Sequence, residues 1–287
     1  MARDWYGADF VMKKGAKRMT PVVAQRLRRR IVYAPLTFSE QEGVRYLHFG
    51  TDWIQGAMRL SRPDRIELEY AQQMMAWMLF IHAPRHVVQL GLGAAALTKF
   101  CYRKFVDAEV TAVELNPGVI AAARSMFRLP PDDDRLRVVE SDALAFVEDE
   151  AHHDGIDALQ VDLYDATARG PVLDSLEFYT ACRACLRGPG MMTVNLFGDH
   201  SSFGRNIKAI GAAFEGRVLA LPEVHAGNRI ALAFNGPSLD VAWSDLHERA
   251  AMIEAATRLP ARSWLHGIKH EMNVEGRRGV GTRRLRI

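Results

Sequence analysis

The stretch His86-Val-Val-Gln-Leu-Gly91-Leu-Gly93-Ala-Ala-Ala-Leu-Thr-Lys-Phe100, running on to Ala108-Glu-Val-Thr-Ala-Val-Glu114, decides the fold. Val87 to Leu90 is a short apolar run with β-branched members, Gly91 and Gly93 interrupt it, and Ala94 to Phe105 follows with helical character. A second apolar run, Glu109 to Val113, ends in the carboxylate of Glu114. This order predicts a strand, a tight turn, a helix and a second strand. Glycines at such a turn let the backbone approach a ligand closely, and the helix start offers unpaired N–H groups. Glu114 stands 23 residues past Gly91. A carboxylate at the tip of the neighbouring strand is placed to take the two hydroxyls of a ribose. The bland alternative is a plain strand-to-helix turn with a solvated acid, because Gly-x-Gly is short of the full glycine fingerprint.

Working outward, 287 residues suit one large domain, or a main domain with a small companion, and 48% hydrophobic residues suffice for a sizeable core. The net charge of +3 is too mild for nucleic acid to be expected as the main partner. Basic residues crowd both ends: Lys13, Lys14, Lys17, Arg18, Arg26, Arg28, Arg29 and Arg30 at one, Arg277, Arg278, Arg283, Arg284 and Arg286 at the other. Solvated ends are the expectation there, in preference to contact with an anionic surface. The first residues lack the apolar core of a secretion signal, and Met74 to Ala83 is too short to span a bilayer, so a cytoplasmic protein with no membrane contact is expected. Cys182 and Cys185 form Cys-x-x-Cys inside a helical pattern without a second ligand pair. Together with Cys101 they read as buried thiols, and no metal is expected.

Three segments follow from the periodicities. Residues 1–84 predict a small β element, with strands at 30–34, 44–49 and 53–58, and a linking helix opened by Pro63 with Ile66, Tyr70, Met74, Met78 and Ile81 at helical spacing. Residues 85–236 alternate strands and helices: helices at 117–127, 143–150, 172–186 and 201–214, strands at 136–140, 156–161 and 191–196, then a closing pair at 218–221 and 229–234. That is an α/β, doubly wound, methyltransferase-like and mostly parallel sheet with a hairpin at one edge. Residues 237–287 predict a helix over 238–259 and a Gly- and Arg-rich tail without a firm signal.

Ligands of such sheets bind beyond the carboxyl ends of the strands. The residues there are Gly91 and Gly93, Glu114, Ser141-Asp142-Ala143, and Asp162-Leu-Tyr-Asp165. Asp142 can accept from an adenine amino group or cap the next helix, and the two uses are compatible. Asp162 and Asp165 lie where a reacting group would meet the ligand, or serve turn chemistry. Acid there favours a cationic or amine-bearing substrate.

From about Val44 to Phe234 the chain resembles the spermidine synthase family of polyamine aminopropyltransferases, and most closely a short, divergent bacterial branch. The resemblance rests on Trp53-Ile-Gln55, Gly91-Leu-Gly93, Val113-Glu114, Ser141-Asp142-Ala143, Asp162-x-x-Asp165, Glu177-Phe-Tyr179 and Gly188-Pro-Gly190, in order and on matching elements. It implies that Glu114 holds the ribose and Asp142 the adenine, with Gly91, Gly93 and Gln55 also at the cosubstrate. It further implies that Asp162 orients and deprotonates the attacking amine with Asp165 in support, and that Tyr70, Gln73 and Tyr164 line the amine site. The implied cosubstrate is decarboxylated S-adenosylmethionine, the implied partner a small-molecule amine, and a homodimer is an expectation. Two positions depart from the pattern. Ala94 stands where family members carry an Asp for the aminopropyl ammonium, and Tyr70-Ala71-Gln72-Gln73 stands where they carry Tyr-His-Glu. Two alternatives therefore stay open: a methyltransferase using intact S-adenosylmethionine, whose carboxylate an acid at position 94 would repel, and a scaffold that has lost catalysis.

Overall fold

A computed structural model of the chain describes residues 33–164, 171–198, 200–224, 227–274 and 283–287. The chain first builds an antiparallel sheet from β1 (Leu36–Gln41), β2 (Val44–Phe49) and β3 (Ile54–Arg59). Glu42 and Gly43, at φ 51° and 75°, make the left-handed two-residue turn that matches the twist of a hairpin. That turn pairs Gln41 with Val44 and Leu36 with Phe49. Of the strand predicted at 30–34, Tyr33 and Ala34 are not in a strand and residues 30–32 lie outside the described residues; the first described strand is β1. This strand, Leu-Thr-Phe-Ser-Glu-Gln, has no buried residue and so carries no apolar alternation to read.

The predicted linking helix is shorter and tighter than its periodicity implies. Helix α1 (Glu69–Gln73) gives way to a 3-10 segment, Met74–Leu79, whose six side chains are all buried. It then enters the main sheet through β4 (His86–Leu90), α2 (Ala96–Lys104), β5 (Glu109–Glu114), α3 (Pro117–Met126), β6 (Leu136–Glu140), α4 (Ala143–Glu148) and β7 (Ile156–Val161). The chain continues through α5 (Leu176–Cys185), β8 (Leu186–Phe197), α6 (Ser202–Ala213), β9 (Val218–Ala220) and β10 (Asn228–Asn235). Local chemistry sets the helix starts: Asn116 accepts from Gly118 N at 2.9 Å with Pro117 behind it, and Ser175 accepts from Phe178 N at 3.1 Å. The Ser175 cap moves the start of α5 from the predicted 172 to Leu176.

Among the described residues the main sheet has seven strands in the order β6-β5-β4-β7-β8-β10-β9. β4 pairs in parallel with both β5 and β7, so the strand order reverses beside it. This reversal opens a crevice at the carboxyl ends. β10 runs antiparallel to β8 and β9, which is the expected edge hairpin.

Both faces are covered, as a mostly parallel sheet requires. On one face Met74, Met75 and Trp77 pack with residues of α7 (Trp243–Thr257) and α8 (Ala261–Val274). The other carries Phe146, Phe178, Tyr179, Cys182, Cys185 and Phe214. All three thiols are buried, and burial raises Cys101 and Cys182 well above the usual thiol value and Cys185 to about 11. The predicted helix at 238–259 begins instead as a strand, β11 (Asp240–Ala242), paired with β12 (Arg284–Arg286). Arg284 and Arg286 form ion pairs with Asp240, so these two basic residues have intramolecular partners. Among the described residues no helix is long and apolar enough to cross a membrane.

Candidate active site

The glycine loop is shaped by what lies against it. Gly91 has φ 89°, and a Cβ built on it would lie 2.1 Å from the Asp162 carbonyl oxygen. Only glycine lets β4 end this close to β7. Gly91 N donates to Val113 O at 2.8 Å and Asp162 N to Leu90 O at 2.9 Å, so the ends of three adjacent strands are tied together. Gly93 sits under β3, where a Cβ would be 3.0 Å from the Gln55 carbonyl oxygen. The sheet β1–β3 thus supplies one wall of the crevice, and Gln55 is half-buried in it.

Glu114 closes the loop from the β5 side. Its Oε2 accepts from Leu92 N at 3.0 Å and its Oε1 from Asn116 N at 2.9 Å. Burial raises its pKa, and these backbone N–H groups pull against the rise. The Gly93 and Leu115 N–H groups also act on this carboxylate, so the backbone of the glycine loop and of the turn after β5 holds it in place. Asp142 is exposed at the tip of β6 and caps α4 through Ala145 N at 3.1 Å. Its structural use is therefore present, and its other oxygen has the chemistry to accept from a base.

Asp162 lies half-buried at the end of β7, beside the glycine loop. It follows β7 at the switch point, its Oδ1 accepts from Asn195 Nδ2 at 2.8 Å, and the Tyr70 hydroxyl donates a long bond to Oδ2 at 3.5 Å. Burial pushes it up to about 6, and the bonds from Asn195 and Tyr70 pull it down. Burial first, then the Asp162 charge, raises Tyr70 and Tyr164, so both phenols are held neutral. Tyr164 donates to the Asn195 carbonyl at 3.2 Å. Gln73, one turn beyond Tyr70, donates from Nε2 to Pro222 O at 3.3 Å and leaves a buried Oε1 without a partner among the described residues. Asp165 lies outside the described residues.

The structure thus brings Gly91, Gly93, Glu114, Gln55, Asp162, Tyr70 and Tyr164 to one crevice. Asn195 escaped the sequence reading, although a signal was present: it is a polar residue inside the apolar run Met191–Leu196 and is only 2% exposed. A buried amide in such a strand needs partners, and Asp162 and Asn228 Nδ2, at 3.0 Å, are those partners. Ala94 is buried beneath β3, where a Cβ on Gly56 would lie 2.6 Å from its methyl group.

These features define a class: an α/β protein of methyltransferase-like fold, with a β wall over its glycine loop and an acid at the centre of the crevice. No family model matches the chain. It is, however, 32% identical over 232 residues to the polyamine aminopropyltransferases of Neisseria meningitidis and of Chromobacterium violaceum, covering 80% of this chain and 88% of each relative. The chain belongs to the polyamine aminopropyltransferase family. Among solved structures, a probable spermidine synthase from Corynebacterium glutamicum superposes with TM-score 0.63 at 19% identity, over 81% of this chain and 91% of that one. Human methyltransferase-like protein 13 in complex with SAH gives 0.58 at 20% identity, over 67% and 93%. At these identities the likeness shows the fold.

Proposed function

We propose that this protein transfers an aminopropyl group from decarboxylated S-adenosylmethionine to a primary amine, with Asp162 as the proton acceptor. The nitrogen lone pair attacks the carbon next to the sulfonium, the C–N bond forms, and the C–S bond breaks with its electron pair going to sulfur. Methylthioadenosine leaves, and the proton lost by the amine passes to Asp162 and on to water. An amine attacks only when neutral, so alignment and proton removal are what the protein must supply.

The carrying observation is Asp162 itself: a desolvated carboxylate beside the glycine loop, oriented by Asn195 and Tyr70 and held up to about 6. A base with that value is ionised at neutral pH and still accepts a proton readily. The same charge attracts an ammonium and disfavours the extra carboxylate of intact S-adenosylmethionine, which supports the decarboxylated form. Glu114 takes the ribose hydroxyls, Asp142 the adenine, and Gly91, Gly93 and Gln55 the sulfonium-bearing part. Tyr70, Gln73 and Tyr164 line the path of the amine.

Calorimetric titration with S-adenosylmethionine, its decarboxylated form, S-adenosylhomocysteine and methylthioadenosine tests this reading. Tighter binding of the decarboxylated form and of methylthioadenosine is the expected result, together with methylthioadenosine release when a diamine is added. Tighter binding of the two carboxylate-bearing ligands would replace it with methyl transfer.

A further inference from the structure

Asn195 has a partner at each end of its side-chain amide, and Asp162 fixes which end faces which. An ionised carboxylate only accepts hydrogen bonds, so the amide nitrogen must be turned to it, and Asn195 Nδ2 donates to Asp162 Oδ1 at 2.8 Å. The amide oxygen then points to the first residue of β10, where Asn228 Nδ2 donates to it at 3.0 Å. Turned over, the amide would set its oxygen against the carboxylate, which repels the ionised form and suits the protonated one as a donor. The two orientations have nearly the same shape, so packing around a side chain that is 2% exposed does not choose between them. The donor on the far side does.

The sheet delivers that donor. Asn228 stands opposite Phe197, two residues past Asn195, so the two amides are diagonal neighbours on one face of the β8–β10 pair. Backbone bonds hold the start of β10 without help from the Asn228 side chain: Val224 N donates to Asn228 O at 2.9 Å, and Gly198 N to Gly227 O at 2.8 Å. Gly227, at φ 84°, makes the left-handed turn just before it. Around Asp162 the titratable side chains are Tyr70 from α1 and Tyr164 from the segment after β7, both neutral. Asp162 makes no ion pair among the described residues, and its bond from Tyr70 is long at 3.5 Å, so its ionised form leans on the Asn195 amide. Resting on the aminopropyl-transfer reading above, we infer that Asn228 is a positioning residue for the base: by holding the oxygen of the Asn195 amide it keeps the amide nitrogen turned to Asp162, and so keeps Asp162 in the form that takes the proton from the amine. Asn228 acts through Asn195 and not on Asp162 directly.

The test follows kcat/KM against pH for the wild-type protein, N228L, N195L and the double variant, with 1,4-diaminobutane as acceptor. Leucine removes the donor at similar volume and releases the Asn195 amide to turn over. In N228L the rise of kcat/KM is expected to move up by about one pH unit, the equivalent of one charge-assisted hydrogen bond. Relative to wild type, activity then falls about fivefold at pH 6 and stays within about twofold at pH 8.5. Binding of methylthioadenosine should be unchanged, and N228A takes the place of N228L if leucine weakens it. Adding N228L to N195L should move the rise no further. An unmoved rise in N228L, a loss of the same factor at every pH, or a further shift in the N195L background overturns the role. The carbon-13 resonance of the Asp162 carboxyl, identified by its absence from D162N, gives the same titration without turnover. If the wild-type protein releases no methylthioadenosine with the diamine, the aminopropyl reading itself fails. The resonance then decides Asn228 separately: a midpoint about one unit higher in N228L upholds it, and equal midpoints overturn it.

Discussion

Two ionisable side chains show how burial turns chemistry into measurable behaviour. Asp162, pushed by burial up to about 6 from the usual 3.8 of an aspartate, is more easily protonated in the folded chain than in the unfolded one. Its contribution to stability is therefore full below about pH 4 and is lost as pH rises through about 6. D162N stays neutral and keeps that contribution, so it should melt above the wild-type protein at neutral pH, with the difference vanishing near pH 4. The same change should lower kcat by about 10²–10⁴ and remove the rise of kcat/KM centred near pH 6. A D162N protein with wild-type turnover would remove Asp162 from the reaction. Lys99 presents the opposite sign. It is buried on α2, donates to Phe127 O at 2.6 Å, and is lowered by burial from 10.5 to about 8. Charged Lys99 costs the fold stability below pH 8, and the cost is relieved between about 8 and 10.5 as the folded group stays neutral and the unfolded one does not. The melting temperature of the wild type should therefore rise relative to that of K99M across that window, and a constant difference would contradict the shift. Asp162 was legible from its place after a strand. Lys99 was not, because a lysine in a helix reads as solvated until tertiary packing buries it.

At the scale of elements, the wall formed by β3 explains a departure that sequence alone only records. Ala94 is 3% exposed, and Gly56 of β3 packs so closely on it that even a methyl group on the glycine would clash. An aspartate at 94 would bring a charge into this contact without a partner. A94D should therefore destabilise the protein by about 3 kcal/mol or more, read as a lower denaturation midpoint, and should not raise the rate of aminopropyl transfer. Restored or increased activity with an unchanged midpoint would show that the position is open to an acid. The βαβ core was readable because strands buried on both faces print short, largely apolar runs such as Val87–Leu90, and because Asp142 announces the helix that follows it. The first strand was unreadable for the converse reason: β1 exposes five of its six residues, so it is fixed by pairing with β2 and by the Glu42-Gly43 turn. The 3-10 segment Met74–Leu79 likewise hides behind helical spacing, since a run buried on every side satisfies any period.

Over the whole molecule, the last quarter of the chain is part of the core on which the site stands. α8 buries Trp264, Leu265, Ile268 and Met272 in the same cluster as Met74, Met75 and Trp77, the residues that directly follow the helix carrying Tyr70. The sequence offered little warning, because Gly and Arg dominate the region after 274 and Pro260 separates α8 from the helix before it. The union is also polar: Arg229 of β10 forms an ion pair with Glu271, donates to Leu221 O at 2.9 Å, and lies 4.4 Å over the Phe203 ring. Burial of four large apolar side chains is worth on the order of 10 kcal/mol, comparable with the entire net stability of a typical domain. A chain ending at Leu259 should therefore lack a cooperative thermal transition and lose its near-ultraviolet dichroism, while retaining helical signal in the far ultraviolet. It should also lose methylthioadenosine binding, although none of the proposed ligand contacts has been removed. A truncated protein that melts cooperatively near the wild-type temperature would make α8 a dispensable cover. Loss of binding together with loss of tertiary order would instead tie the positions of Tyr70 and Gln73, and so the shape of the amine path, to a helix on the outer face of the sheet.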